Sequence, residues 1–150
     1  MHKLLLLAIL AITINANPIS SKVLNLVKQN EGYSKYLYYD VSGYSIGYGT
    51  NLANGLSKGE AELLLKYRLN VVYKQLTKYE WFLAQSPNRK IALIDLTYNL
   101  GLPKLLHFKV FLWRLKNGYF HGAANALKDS IWYRQVGKRA KKIYSLIYKG

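Results

Sequence analysis

The chain has 150 residues, 51% of them apolar, which is enough for one compact domain with a real core and too little for two large ones. Its 22 basic residues against seven acids give a formal charge of +15, which calls for an anionic partner: nucleic acid, a membrane surface or an acidic polymer such as a bacterial cell wall. There is no cysteine, and His2, His107 and His121 are scattered, so a disulfide framework and a thiolate metal site are excluded and no metal-ligand pattern is present.

The N-terminal text "MHKLLLLAILAITINA" has the layout of a secretory signal peptide over residues 1–16: a basic start at Lys3, an apolar run from Leu4 to Ile14, and the small residue Ala16 at the cleavage point. The run is about 11 residues long, too short to span a ~30 Å hydrocarbon core comfortably. The alternative is an uncleaved anchor, because Ile14 is an acceptable rather than ideal −3 residue. The expectation is a chain exported to the periplasm or beyond, starting near Asn17, with a single domain over 17–150 and no stable membrane span in the mature form. Export argues against nucleic acid as partner and for anionic polymers of the cell envelope.

From Ser20 the text reads as a helix that Ser20 or Ser21 can cap. Val23, Val27 and Glu31 follow at i, i+4 and i+8, so Glu31 ends an apolar stripe and lies off the face of Lys22, Lys28 and Gln29. Gly32 suits the helix terminus. A carboxylate on the core-facing side is unusual. Residues 36–50 then change period: Tyr44, Ile46 and Tyr48 alternate with Ser45, Gly47 and Gly49. With the turn signal "DVSG" before them, they predict a small hairpin whose glycine face lets something approach the backbone closely.

After the loop "NLANG", Ser57 and Glu60 have capping-box spacing. Leu65, Leu69, Val72 and Leu76 predict a helix of about five turns. Further helices are expected over Arg89–Leu100, Leu105–Lys116 and Tyr119–Lys128, then from a cap at Asp129 or Ser130 through Trp132. The closing "GKRAKKIYSLIYK" reads as a solvated helix docked by Ile143, Leu146 and Ile147, with Trp113 and Trp132 expected in the core. The fold class is α+β, mostly α, with a small hairpin lobe and a helical lobe flanking a groove.

Seven acids can be weighed one by one. Glu60 serves the capping box, Glu62 pairs with Lys66 at i+4, Glu80 has no special context, Asp129 is a helix cap, and Asp95 reads as a buried, satisfied polar residue. Glu31 and Asp40 remain. Hydrolysis of a glycosidic bond needs one carboxyl that keeps its proton and one that stays ionised. Apolar burial of Glu31 and a polar rim position for Asp40 fit that division. Asp40 taken singly is also an ordinary turn residue.

The order "EG", "Y-x-D" and "G-x-S-I-G-Y-G-T-N" resembles the active-site signature of phage-type lysozymes, glycoside hydrolase family 24. The resemblance continues through "LSKGEAELLLKYRLNVV", "RKIALIDLTYNLG" and "AANALKDSIWYRQVGKRAKKI", the last similar to the C-terminal region of T-even phage lysozymes. It covers the whole chain after the leader and implies a lysozyme-like fold. It implies Glu31 as general acid, with Asp40 and Ser45 holding or activating water. Tyr98 and Asn99 would contact sugar, Tyr48 and Thr50 would flank the cleft with Asn51, and Arg139 would pair with Glu31 and orient it. Two departures stand out: serine replaces the family's threonine, and four residues rather than five separate Asp40 from Ser45.

The expectation is therefore a monomeric muramidase acting on peptidoglycan, with no cofactor and no metal, inverting at the anomeric carbon. Its two carboxyl groups are expected about 6.5–9.5 Å apart. Two rivals use the same residues: a lytic transglycosylase in which Glu31 works alone, and a non-enzymatic cationic wall-binding protein with a degraded site.

Overall fold

The structure, a computed structural model, describes residues 19–150. The expected leader over 1–16 lies outside the described residues. The chain divides into two compact units, one ending at Leu56 and the other running Ser57–Gly150.

The first unit contains α1 (Ser21–Glu31), β1 (Ser34–Asp40), β2 (Gly43–Gly47) and β3 (Thr50–Asn51). Ser20 is the cap of α1, its hydroxyl accepting the Val23 N–H at 3.3 Å. Gly32, at φ 68°, ends the helix and donates its N–H to the Lys28 carbonyl. Periodicity sets Val23, Val27 and Glu31 on one side of α1, but that side is not core: none of the helix's residues is buried and Glu31 is exposed. The expected apolar burial of Glu31 is therefore corrected.

The strands form an antiparallel sheet in the order β1-β2-β3. The expected hairpin is present, and a short third strand extends it because Gly49, at φ 73°, turns the chain back after β2. Register runs Ser34↔Gly47, then Tyr38↔Ser45 and Asp40↔Gly43, so Lys35, Tyr36 and Leu37 oppose Ile46 alone. This bulge bends β1 in its first half and leaves its second half in regular pairing with β2.

The second unit is helical: α2 (Lys58–Leu76), α3 (Glu80–Leu83), α4 (Pro87–Leu100), α5 (Leu102–Leu106), α6 (Lys109–Lys116), α7 (Phe120–Lys128), α8 (Ile131–Val136) and α9 (Lys138–Lys149). The Ser57–Glu60 capping box starts α2, and Glu62 pairs with Lys66 at 3.3 Å. Ser86 caps α4 with Pro87 at the first turn, which moves its start ahead of the expected Arg89. The single helix expected over 105–116 is two, because Gly101 (φ 81°) and Pro103 start α5 early and the chain breaks at His107–Phe108. Ser130, not Asp129, caps α8, while Asp129 closes α7.

The core of this unit is built by α4, α6, α7 and α9, with Leu93, Leu96, Phe111, Leu115, Leu127 and Ile147 at its centre. Trp132 joins it as expected, whereas Trp113 is 60% exposed. Ile143 and Ile147 dock α9, as their spacing predicts. Among the described residues, no helix is long and apolar enough to cross a membrane, and no group of three or more His, Cys, Asp or Glu could hold a metal ion.

Candidate active site

Glu31 is the last residue of α1, where the chain enters the sheet. Its carboxylate lies against the backbone of Gly49: a Cβ added at Gly49 would be 2.6 Å from Oε2 and 3.3 Å from Cδ. The bare glycine face expected from the sequence thus has a definite visitor at Gly49, whereas nothing lies within 4 Å of a Cβ at Gly47. A cavity of 380 Å³ opens beside Glu31, lined also by Tyr33, Ser34, Tyr38 and Gly47. Tyr48 sits next to it in the chain's turn, its ring 5.3 Å from that of Tyr33 and its face 5.5 Å from the Lys28 ammonium. Thr50 pairs with Ile46 across β2 and β3.

Asp40 ends β1 and opens the two-residue turn Val41–Ser42. One of its oxygens, Oδ1, accepts both the Ser42 N–H at 2.8 Å and the Ser42 hydroxyl at 2.5 Å, an Asx-turn reinforced by the side chain. Asn51 Nδ2 donates to the Ser42 hydroxyl at 2.9 Å and to the Ser42 carbonyl at 2.8 Å, and Asn51 Oδ1 accepts the Ala53 N–H at 2.7 Å. A relay therefore runs from β3 through Ser42 to the carboxylate. The Ser42 hydroxyl, then its N–H, holds the Asp40 pKa below the ordinary carboxylate value; burial opposes this, and the Ser45 hydroxyl and the Gly43 N–H add smaller lowering effects.

Register explains how Ser45 contributes despite the shortened spacing. Asp40 faces Gly43 and Tyr38 faces Ser45, and residues two apart on a strand share a face. Asp40, Ser45 and Asn51 therefore lie on one side of the sheet. Ser45 is buried there. The missing residue is absorbed in the turn and the hydroxyl stays within reach of the carboxylate.

In the helical unit, Tyr98 is 42% exposed and lines a 610 Å³ cavity with Leu64, Arg68 and Gly101. The Asn99 amide oxygen accepts the Trp132 indole N–H at 2.7 Å, which fixes both side chains. Arg139 has a partner that the sequence reading did not name. It donates from Nε to Asp95 Oδ2 and from Nη2 to Asp95 Oδ1, both at 2.9 Å. The fork is bidentate, joins α9 to α4, and raises the Arg139 pKa, the hydrogen bond to Asp95 being the main cause. Asp95 presents both oxygens to the planar guanidinium from one turn before the end of α4.

The first unit thus offers two carboxyl groups in unequal settings. Asp40 is held ionised by hydrogen-bond donors. Glu31 accepts no hydrogen bond from the described residues of its unit, and it borders a cavity. The asymmetry arises from the donors around Asp40 rather than from burial of Glu31. Ser42 and Asn51 are the positioning residues that the sequence reading undervalued, although Asp-x-Ser is itself an Asx-turn spacing.

A family model described as phage lysozyme matches residues 28–148. The chain is similar to two proteins of Dictyostelium discoideum, "Probable T4-type lysozyme 1" and "Probable T4-type lysozyme 2", at 23% and 24% identity over 162 aligned positions, covering 87% of this chain and 95% of each relative. With a match that runs from the last turns of α1 to the end of α9, the chain belongs to the phage lysozyme family.

Proposed function

We propose that this protein is a muramidase, hydrolysing the β-1,4 bond between N-acetylmuramic acid and N-acetylglucosamine in peptidoglycan. Family membership supports the coarser statement, a lysozyme-like peptidoglycan hydrolase. The finer one rests on one observation above all: a carboxylate seated on Gly49 beside a cavity, in the same small unit as a second carboxylate kept ionised by Ser42.

Glu31 donates a proton to the leaving glycosidic oxygen. Asp40, with Ser45, orients a water on the opposite face of the sugar and takes its proton, and the anomeric centre inverts. Tyr98 and Asn99 contact sugar, and Tyr48 and Thr50 flank the bound strand. Arg139, held by Asp95, serves to orient Glu31. The protein works as a monomer outside the cytoplasm, exported by its leader, and its positive charge holds it on the anionic envelope.

Mass spectrometry of digested cell wall tests the reaction type. Reducing N-acetylmuramic acid ends, with one 18O incorporated from labelled water, are expected. 1,6-Anhydro ends would instead make the enzyme a lytic transglycosylase, with the sugar's own hydroxyl as nucleophile. Intact glycan together with undiminished bacterial killing would make it a non-enzymatic wall binder.

A further inference from the structure

The helical unit carries a cavity of 790 Å³ whose lining residues fall between Arg89 and Lys149 and include none of the candidate hydrolytic groups. Two arginines reach it from different helices. Arg89, on α4, donates from Nε to the Ile147 carbonyl at 2.9 Å, and its guanidinium lies 3.4 Å over the Phe120 ring. Arg114, on α6, donates from Nη1 to the Gly122 carbonyl at 2.9 Å. Each cation is pinned by one carbonyl and keeps N–H groups for something else. Among the described residues neither has an acidic partner, and no carboxylate side chain lines the cavity. Partial burial also lowers the Arg89 pKa, disfavouring a charge that a bound anion would stabilise.

Gly122 belongs to the same arrangement. A glycine inside a helix is destabilising relative to alanine. Here a Cβ would stand 3.2 Å from Arg114 Cδ, so the glycine lets the arginine stem cross α7. Flat rings complete the wall. Trp113 and Tyr119 stack at 5.8 Å and 22°, and His121 and Tyr148 at 3.9 Å and 9°. Large exposed rings on a wall with two held guanidinium groups match a ligand that pairs an apolar ring face with an anion. Arginine forks bind phosphate or carboxylate in this way, and the C–H faces of sugar rings suit aromatic plates.

We propose that this cavity is a second binding site, for an acidic glycan of the cell wall, with its anionic group on Arg89 and Arg114 and a sugar ring on the Trp113–Tyr119 face. The identity of the polymer rests on the peptidoglycan-hydrolase reading; the site's preference for a ring joined to an anion does not. The anion is either the phosphodiester of a wall-linked polymer or a carboxylate of peptidoglycan itself.

The test is sedimentation of the full chain with purified Gram-positive sacculi, with Glu31→Gln present throughout so that binding is read without cleavage. Adding Trp113→Ala or Arg114→Gln is expected to weaken binding about tenfold each, the loss of one good contact. Treating the sacculi with hydrofluoric acid, which removes phosphodiester-linked polymers, separates the sources. If the difference between parent and variants disappears, the anion is a phosphodiester; if it persists, it is a carboxylate. Equal binding of parent and variants to untreated sacculi overturns the proposal. So does Arg114-dependent binding to phosphatidylglycerol vesicles without binding to sacculi, which would make the partner a lipid surface.

With Glu31 intact, both variants are expected to keep the parent rate on short soluble muropeptides, so failure of this site and failure of the hydrolase reading give different results. A measurement on the unmodified protein avoids any folding defect of the variants. The Trp113 indole and His121 ring NMR signals are expected to shift on adding soluble glucosylated polyglycerol phosphate or muropeptide. Signals unmoved by both probes overturn the proposal.

Discussion

A methyl group at residue 49 would occupy the place where the Glu31 carboxylate now sits, and would do so on a backbone at φ 73° that non-glycine residues rarely adopt. Because the nearest atoms belong to the end of a flexible side chain, Glu31 is expected to move while the fold survives. Gly49→Ala should lower hydrolysis of cell wall by ~10²-fold, the scale of a ~1 Å misplacement, while costing about 1–3 kcal/mol in chemical denaturation for the strained φ. At Asp40 the prediction concerns pH. Its folded pKa lies below the unfolded value, so its hydrogen bonds stabilise the fold above the unfolded pKa, and that contribution is lost as pH falls through the folded pKa. Ser42→Ala removes the largest of these influences. The Asp40 carboxyl signal in an NMR titration should then move to higher pH, and the acid limb of the pH–rate profile should move with it. Much of this was readable beforehand: the carboxylate pair, the glycine face and the Asp-Ser turn are all local text. That Asn51 braces Ser42 was not readable, because the contact crosses nine positions and depends on a third strand that two residues barely announce.

At the scale of elements, helix starts were the most legible feature. Ser20, Ser57 and Ser130 each accept an N–H three residues on, and the spacing of a cap is fixed by helix geometry alone. Burial was less legible. The stripe on α1 has the period of a core face, yet period reports which residues share a side and not what that side meets. Partners far apart in sequence were hidden for the same reason, and Asp95 with Arg139, joining α4 to α9, is the clearest case. Both side chains are more than a third exposed, so Asp95→Asn should cost about 1 kcal/mol or less in thermal or chemical unfolding, solvent screening most of the attraction. The same pair separates two roles for Arg139. If it orients Glu31, Arg139→Ala should lower the hydrolytic rate about tenfold and shift the pH–rate profile, whereas Asp95→Asn should leave that profile in place. An unshifted profile in Arg139→Ala would remove Arg139 from the acid's environment.

For the molecule as a whole, composition and motifs were enough to read the family, phage lysozyme. A charge of +15 with seven acids leaves most cations unpaired, and among the described residues two ion pairs form, Lys66–Glu62 and Arg139–Asp95. If the partner is an anionic wall, as proposed, its attraction is long-ranged and screened by salt, with a Debye length of about 8 Å near physiological ionic strength. Binding of Glu31→Gln to sacculi should weaken steadily as salt rises, and binding indifferent to salt would show that contact chemistry rather than charge holds the protein there. None of this decides whether bonds are cut. That depends on Glu31 as proton donor, and the most direct measurement is the release of reducing ends from purified sacculi by Glu31→Gln beside the parent protein. The account predicts a rate reduced at least ~10²-fold, at the low end of what loss of a general acid costs, with wall binding retained. Reducing ends released at the parent rate would contradict it.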